Sequence, residues 1–443
     1  MAVFLPKGTR DFLPEQMLAR QQVIDTIRTV FERHGFDPLE TPAFERLETL
    51  TGKYGEETDK LMFKIHARGR NAKPGECDLG LRYDLTVPLA RVVAMNPQLR
   101  MPFKRYQIQP VWRAERNQKG RFREFYQCDV DVMGSTDTLC EAECMAVVTD
   151  ALGALGFTDY TVKLNDRRIL ADFAQMAGAT DARQELSALI AIDKLDKVGR
   201  EGVEKELAER GLDPAGLAPL WALEGQLDDG AATLDRLDAL LTARGRAGVA
   251  TLREVMADAD AAGVDMPRIQ VDPFLARGAD YYTGPVFEVH SPTAGVGSLA
   301  GGGRYDGLVA AFSGRDVPAV GVSLGLERIL VVMEERGMLS ARATAADVFV
   351  TVFDDACRAA SIAAARALRD AGVKTDLFLK QTKLGKQLKH ADLMGFPFVV
   401  IVGPDEAAKG LLQLKDMRSG TSTTDTVEAI AAVVLEAVGS AKS

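Results

Sequence analysis

Two runs in which apolar and polar residues alternate, YQIQPVW at 106–112 and FYQCDVDV at 125–132, bracket a densely charged stretch. Alternation with period two marks a half-buried strand, because successive side chains leave opposite faces of the pleat. The sequence between them, with its tip at 115–123, therefore predicts a long antiparallel hairpin. The same geometry puts Arg113 and Glu115 on one face, and likewise groups Gln127, Asp129 and Asp131. One surface then presents guanidinium, amide and carboxylate together. Residues 113–131 hold four arginines and one lysine, enough cationic charge to grip a triphosphate. A solvated hairpin laced by surface ion pairs is the plainer reading of the same residues.

Three later segments carry chemistry of the same kind: LARGADYYTG at 275–284, GGGRYDG at 301–307 and GVSLGLER at 321–328. The hairpin resembles motif 2 of the class II aminoacyl-tRNA synthetases, and GRFREFYQCDVDV at 120–132 is similar to the wording of the histidyl-tRNA synthetases. The stretch 275–284 resembles that family's histidine signature, usually written RGLDYYTG; 301–307 resembles its second histidine signature, and 321–328 its motif 3. Order and spacing agree, and the likeness runs from Lys7 into the C-terminal part of the chain.

A length of 443 residues predicts two to four domains. An apolar fraction of 47% and a charged fraction of 26% are those of a globular protein. No N-terminal stretch has the order of a signal peptide, and no apolar run approaches the roughly 18 residues that span a bilayer, so a cytoplasmic protein is expected. Five cysteines without paired spacing read as reduced thiols. Cys140 and Cys144 lie one helical turn apart in LCEAECMAVV, and with four histidines all elsewhere they read as helix packing rather than a metal site. A net charge of −9 excludes a uniformly basic nucleic-acid coat, leaving that task to local charge. Lys380, Lys383, Lys386 and Lys389 recur every third residue, a spacing that lines one side of a helix; standing alone, such a stripe is more often a solvated face.

Helical spacing at 16–34 closes at Gly35, and 39–45 reads as a strand with Pro42 suited to an edge. These two elements resemble motif 1, and through that likeness imply a homodimer. From about 165 to 269 the chain is rich in Ala, Leu and charge, with the clearest helical spacing at 231–243 and 249–262. Strand patterns then return up to a helix starting near Gly325. Beyond a compositional break at 339–344 come strands at 348–353, 375–379 and 396–402, a further apolar run at 411–414, and helices at 356–371, in the lysine stretch and at 426–438. The reading is an α/β (α+β) protein. It has a class II synthetase-like antiparallel sheet catalytic domain in two parts (1–165 and 269–338), an α-helical insertion (166–268), and a C-terminal mixed-sheet domain (345–443) that resembles an anticodon-binding domain.

The resemblance implies a histidine–tRNA ligase that joins L-histidine to ATP as an adenylate and passes the histidyl group to the 3′ end of tRNA(His). Mg2+ would travel with ATP as the only metal. Among the implied catalytic residues, Arg113 holds the α-phosphate and the histidine carboxylate, Arg277 lies opposite it, and Arg328 holds the γ-phosphate and stacks near adenine. Arg121 meets the diphosphate portion, Phe125 the adenine face, and Glu115 either the adenine amino group or a metal-bound water. Asp84, Leu85 and Thr86 form the ammonium-binding segment, here in an RYDLT rather than an RPEGT context, with Gln127 completing the carboxylate and ammonium contacts. Asp131, Tyr282 and Tyr305 surround the imidazole, with Tyr281 beside them. Adjacent strand residues face opposite ways, so one of Tyr281 and Tyr282 is expected to pack a core instead. Residues 301–303 read as positions of backbone clearance or as a plain turn. Arg116, Asn117 and Gln118 are implied to meet the tRNA acceptor end, Asn117 standing where the family's common loop has proline, and Lys383, Lys386 and Lys389 the anticodon.

Two other functions fit parts of this pattern. A catalytically silent synthetase-like regulator of histidine biosynthesis lacks the anticodon-binding domain and has eroded ATP contacts. A synthetase of the same subgroup for another amino acid lacks the paired tyrosine and glycine signatures.

Overall fold

The computed structural model describes residues 3–52, 59–68, 73, 75–116, 118–227, 230–276, 281–292, 295–339, 342–380 and 382–440. They divide into two compact units, Met1–Arg10 with Val23–Met338 and Asp11–Gln22 with Leu339–Ser443.

The predicted hairpin is the centre of the larger unit. Strands β5 (Phe103–Trp112) and β6 (Glu124–Met133) pair antiparallel along their whole length, from Phe103 opposite Met133 to Trp112 opposite Glu124. Around them lie β1 (Asp37–Pro38), β7 (Thr161–Asp166), β8 (Ile269–Val271), β9 (Pro285–His290), β10 (Ala300–Arg304) and β11 (Ala319–Gly325). Among the described residues these make an eight-stranded sheet in the order β1-β5-β6-β11-β10-β9-β7-β8. Only the outer pairs, β1 with β5 and β7 with β8, run parallel. A smaller sheet joins β2 (Phe44–Arg46), β3 (Lys64–His66) and β4 (Cys77–Leu81) in the order β2-β4-β3.

Register sorts the side chains of the large sheet by face. Cys128, Val130 and Val132 of β6, Val320, Val322 and Leu324 of β11, Phe287 and Val289 of β9, and Val162 and Leu164 of β7 are buried on one side. There the helix α3 (Leu139–Ala154) packs on β6, β10 and β11. Arg105, Gln107, Gln127, Asp129, Asp131, Ser323 and Glu288 take the alternate positions and look to the other side. Helix α1 (Pro14–Arg33) buries Val23, Ile24, Ile27, Val30 and Phe31, the 3.6-residue stripe expected of it. Helix α2 (Thr86–Met95) opens directly after the RYD stretch.

Between β7 and β8 the chain is helical: α4 (Arg167–Met176), α5 (Ala182–Ile192), α6 (Leu195–Glu209, kinked at Gly199), α7 (Gly230–Leu240) and α8 (Ala243–Ala261). Helix α8 packs on α3 and β7, so this helical stretch shares contacts with the sheet within one unit. Helix α9 (Leu326–Glu335) follows β11 without a loop and rests on β6 and β11.

The second unit holds β12 (Val348–Val350), α10 (Arg358–Asp370), β13 (Thr375–Leu377), α11 (Leu384–Leu393), β14 (Phe398–Ile401), β15 (Leu412–Asp416), β16 (Ser422–Asp425) and α12 (Val427–Ser440). Its sheet runs β13-β12-β14-β15-β16, parallel through β14 and antiparallel after it.

Four local expectations change. Of the strand expected at 39–45 only its end forms, as β2 from Phe44; β1 lies before it at Asp37–Pro38, and 39–43 between them is not strand. The GGG stretch is strand, not turn: a Cβ on Gly302 would sit 2.0 Å from the Gly321 carbonyl, so the close approach of β10 and β11 requires glycine. Lys383 caps α11 and Lys380 precedes it, so only Lys386 and Lys389 of the lysine series ride the helix. Neither Tyr281 nor Tyr282 is in a strand; both rings pack on one cluster with Tyr305, and the alternation argument does not apply to them. Cys140 and Cys144 are buried in α3 as free thiols, and burial raises the pKa of both.

Candidate active site

A cavity of about 250 Å³ opens on the polar face of the large sheet, lined by Arg113, Glu115, Arg121, Phe125, Gln127 and Arg328 among others. Arg113 leaves β5 one residue past its end; its Nε donates to the Tyr83 carbonyl at 3.1 Å. Its guanidinium lies 4.3 Å from the centre of the Tyr83 ring and 5.1 Å from that of Phe125. Arg328, the third residue of α9, donates from Nη1 to the Ser298 carbonyl at 2.6 Å. A Cβ on Gly297 would come within 3.1 Å of that guanidinium carbon, so glycine there leaves the arginine its berth. Arg121 is exposed and pairs with Glu115 at 3.1 Å. Arg116 and Gln118 are exposed at the loop tip, while Asn117 and Arg277 lie outside the described residues.

Next to the cavity is a buried pocket built on β5, β6 and β11. Asp131 pairs with the fully buried Arg105 at 2.7 Å and accepts a short hydrogen bond from the Tyr305 hydroxyl. Gly321 stands opposite Asp131 on β11, and a Cβ there would overlap the carboxylate. Tyr281 lies 5.0 Å from Tyr282 and 5.7 Å from Tyr305, centre to centre. Tyr281 also hydrogen-bonds Thr86. Asp84 is buried and accepts from the Val87 amide at 3.0 Å at the start of α2, and the Leu85 carbonyl accepts from Arg105. Gln127 donates to Ser323 at 3.1 Å, while its buried Oε1 has no hydrogen-bond partner.

Burial raises the pKa of Asp131, against the opposing pull of Arg105 and of the Tyr305 hydrogen bond. Burial likewise pushes Asp129 up to about 7. Tyr281 and Tyr305 are driven well above the ordinary phenol value by burial, and so stay neutral donors. A pocket of neutral hydroxyls, buried carboxylates and one guanidinium suits a polar ring that both donates and accepts, together with a cation.

The structure thus gathers Arg113, Glu115, Arg121, Phe125, Gln127 and Arg328 around one cavity, and Asp84, Thr86, Asp131, Tyr281, Tyr282 and Tyr305 in and around the neighbouring pocket. Lys383, Lys386 and Lys389 belong to the second unit. Sequence reading assigned no role to Arg105, Ser323, Glu288, Ser298 or Glu327. Arg105 was within reach of it, since it shares the period of Gln107 and Gln109. Ser298 lies in a loop and Glu327 one residue into α9, where no periodicity marks them. Arg304, inside the second signature, turns the other way: its Nε and Nη2 each donate to the buried Glu141 of α3 at 2.6 Å.

The histidyl-tRNA synthetase family model matches residues 8–329, and an anticodon binding domain model matches 347–437. The chain belongs to the histidyl-tRNA synthetase family. Similar members include the histidine–tRNA ligases of Gloeobacter violaceus, 44% identical over 93% of each chain, and Cytophaga hutchinsonii, 42% identical over 94% of this chain and 96% of that one. The crystal structure of histidyl-tRNA synthetase from a Nostoc species is 32% identical over 98% of this chain and 99% of that chain, with a TM-score of 0.83. A Bacillus halodurans structure titled as an ATP phosphoribosyltransferase regulatory subunit/histidyl-tRNA synthetase shares the fold at 22% identity and a TM-score of 0.73. As a histidyl-tRNA synthetase family member, the chain carries the α/β fold class expected from its sequence.

Proposed function

We propose that the Arg113–Arg328 cavity binds ATP and the Asp131 pocket binds L-histidine, and that histidyl adenylate forms where the two meet. The chain is an aminoacyl-tRNA ligase, acting on histidine as its family does. In the first step a histidine carboxylate oxygen attacks the α-phosphorus and the bond to diphosphate breaks. In the second, a hydroxyl of the terminal adenosine of tRNA(His) attacks the histidyl carbonyl and AMP leaves. Neither step needs a covalent enzyme intermediate. Both need in-line placement and charge neutralisation.

The observation that carries this reading is the convergence of Arg113 and Arg328, from the hairpin and from α9, on one cavity beside a pocket of buried carboxylate and phenols. Arg113 is assigned the α-phosphate and the histidine carboxylate, since a guanidinium can bridge two oxyanions. Arg328 is assigned the γ-phosphate, Arg121 the leaving diphosphate, Phe125 the adenine face and Glu115 either the adenine amino group or a metal-bound water. Asp84, Leu85, Thr86 and Gln127 are assigned the ammonium end of histidine, and Asp131, Tyr281, Tyr282 and Tyr305 the imidazole. The role of Arg277 opposite Arg113 rests on the family likeness alone.

The described residues hold no cluster of three metal-binding side chains. Glu115 and Glu288 both line the cavity, and one or two carboxylates beside substrate phosphates are what Mg2+ takes. With ATP bound, Mg2+ would neutralise phosphate charge there. Arg116, Asn117 and Gln118 are assigned to the acceptor end of tRNA, and Lys383, Lys386 and Lys389 to the anticodon. We assign domains to 1–165, 166–268, 269–338 and 345–443 on composition and patterning together with the family likeness, a homodimer on the likeness of the motif 1 segment, and a cytoplasmic location on the sequence pattern; no described helix is long and apolar enough to cross a membrane.

Exchange of labelled diphosphate into ATP, measured with each proteinogenic amino acid in turn, tests the reading. Histidine alone should support it. Exchange with another amino acid, or with none, overturns it. Arg277→Ala should slow the same exchange about 100- to 1000-fold with the fold intact.

A further inference from the structure

Asp129 lies on the same face as Gln127 and Asp131, midway between them on β6. Strands rise about 3.3 Å per residue, so the face from Gln127 to Asp131 spans about 13 Å, with Asp129 at its middle. At one end Asp131 meets Tyr305 and the aromatic cluster; at the other Gln127 lines the ATP cavity. A histidine lying along this face, ring toward Asp131 and carboxylate toward Arg113, carries its α-ammonium between the two.

Asp129 is buried, 3% exposed, and its hydrogen bonds come from neutral donors: Ser323 opposite it on β11, and Gln127 Nε2 at 3.5 Å. Among the described residues the ion pair of Arg105 goes to Asp131, not to Asp129. Arg105 and Arg82 pull on Asp129 through space without forming an ion pair with it, and a buried carboxylate with no directly paired cation is costly. We infer that Asp129 is a second acidic residue reading the α-ammonium of histidine, beyond the Asp84–Thr86 segment, and so a determinant of substrate affinity. This rests on the assignment of the pocket to histidine made above.

The groups around Asp129 set how the contact responds to pH. From β5 it faces Arg105 and Gln107, along β6 Gln127 and Asp131, and across β11 Ser323. Glu288 of β9, paired with His290 at 3.4 Å, is two strands further along the same row. Asp84 and Arg82 act on it from the end of β4, and Tyr305 reaches Asp131 beside it. On the opposite face Cys144 of α3 is held neutral by burial. Burial pushes the Asp129 carboxyl up to about 7 when no substrate cation is present. An ammonium favours the ionised form, so below that pH histidine must displace a proton, and above it need not.

The test compares L-histidine with its des-amino analogue, 3-(imidazol-4-yl)propionate, which shares ring and carboxylate and lacks only the ammonium. Dissociation constants of both are measured with the full chain between pH 5.5 and 8.5. Each affinity is first corrected for the free ligand's own ring titration, which differs between the two because only histidine carries an ammonium beside the ring; the ratio of the corrected affinities then cancels the ring and carboxylate contacts. It should be flat above pH ~7 and fall toward tenfold per unit below it. In Asp129→Asn the ratio should drop at least tenfold at pH 8 and lose this slope, with the analogue's own affinity and the KM for ATP unchanged. A flat ratio in the unchanged chain, or equal losses for both ligands in Asp129→Asn, overturns the inference. The unchanged chain's measurement decides even if the variant does not fold. Failure of histidine-dependent exchange itself would instead sink the assignment of the pocket.

Discussion

The central strands of the two principal sheets are equally buried and oppositely composed. In the five-stranded sheet, β12 and the first three residues of β14 are buried and apolar throughout, as parallel strands covered on both faces usually are. In the eight-stranded sheet, β6 is buried from Gln127 to Met133, yet Gln127, Asp129 and Asp131 interrupt the apolar residues. Burying such groups costs free energy unless each finds a partner. Arg105 meets Asp131, but its own Nε and Nη1, and Oε1 of Gln127, have no hydrogen-bond partner. Where burial and composition disagree, the sheet is shaped for something other than its own stability. Where they agree, it is scaffold.

Substitutions that remove a buried group of each kind break the comparison most forcefully. Arg304→Met strands Glu141, which is fully buried and whose pKa burial already raises; loss of such a pair is expected to cost about 3–5 kcal/mol in denaturant unfolding of the larger unit. Phe349→Ala removes the ring that packs on Phe378 and Phe396. It is expected to cost a similar ~3–5 kcal/mol in the second unit and to leave histidine-dependent exchange close to that of the unchanged chain. A fall in exchange there would blur the line between scaffold and site.

Arg113→Ala should do the reverse, lowering exchange about 100- to 1000-fold, or ~3–4 kcal/mol of transition-state stabilisation, while unfolding shifts little.

Stability against pH sharpens the contrast further. The folded chain holds the Asp129 proton up to about pH 7, whereas an ordinary aspartate releases it near 3.8. Between those values the folded state binds more protons than the unfolded one, so this group's contribution to stability falls as pH rises and then levels off above 7. Asp129→Asn should therefore raise the Tm of the substrate-free protein more at pH 8 than at pH 5. An equal or opposite shift would mean that the carboxylate is already satisfied by the protein.

The smallest effect is expected in the second unit. Lys386→Ala and Lys389→Ala should each weaken tRNA binding modestly and lower its salt dependence by about 0.7–0.9 of a unit in log–log slope, with amino-acid activation unaltered.

Much of this was legible in the residues. The hairpin came within a few residues of its observed ends because its alternation is long and strict, and α1 showed its stripe. The strand expected at 39–45 failed at LETPA, whose backbone bonds go singly to Tyr106 and Arg82 and whose Thr41 and Pro42 carbonyls are taken by the Arg82 side chain, so no continuous ladder forms. Strand β16, STTD, is exposed along its whole length and has no apolar alternation to betray it. Lys380 and Lys383 have the spacing of a helix but precede the one that forms. Tyr281 and Tyr282 follow residues outside the described chain and sit in irregular backbone, so period-two reasoning had no strand to act on.

From the amino acids alone came the alternation of β5 and β6, the cationic loop between them and the order of the signature segments, because side-chain direction and local charge are properties of short stretches. Only the folded chain decided that Arg105 serves Asp131, that Arg304 turns away to Glu141, and that Asp129 is left with neutral donors. Those outcomes depend on register between strands far apart in sequence and on which polar atoms lose contact with water, and neither is written in any single segment.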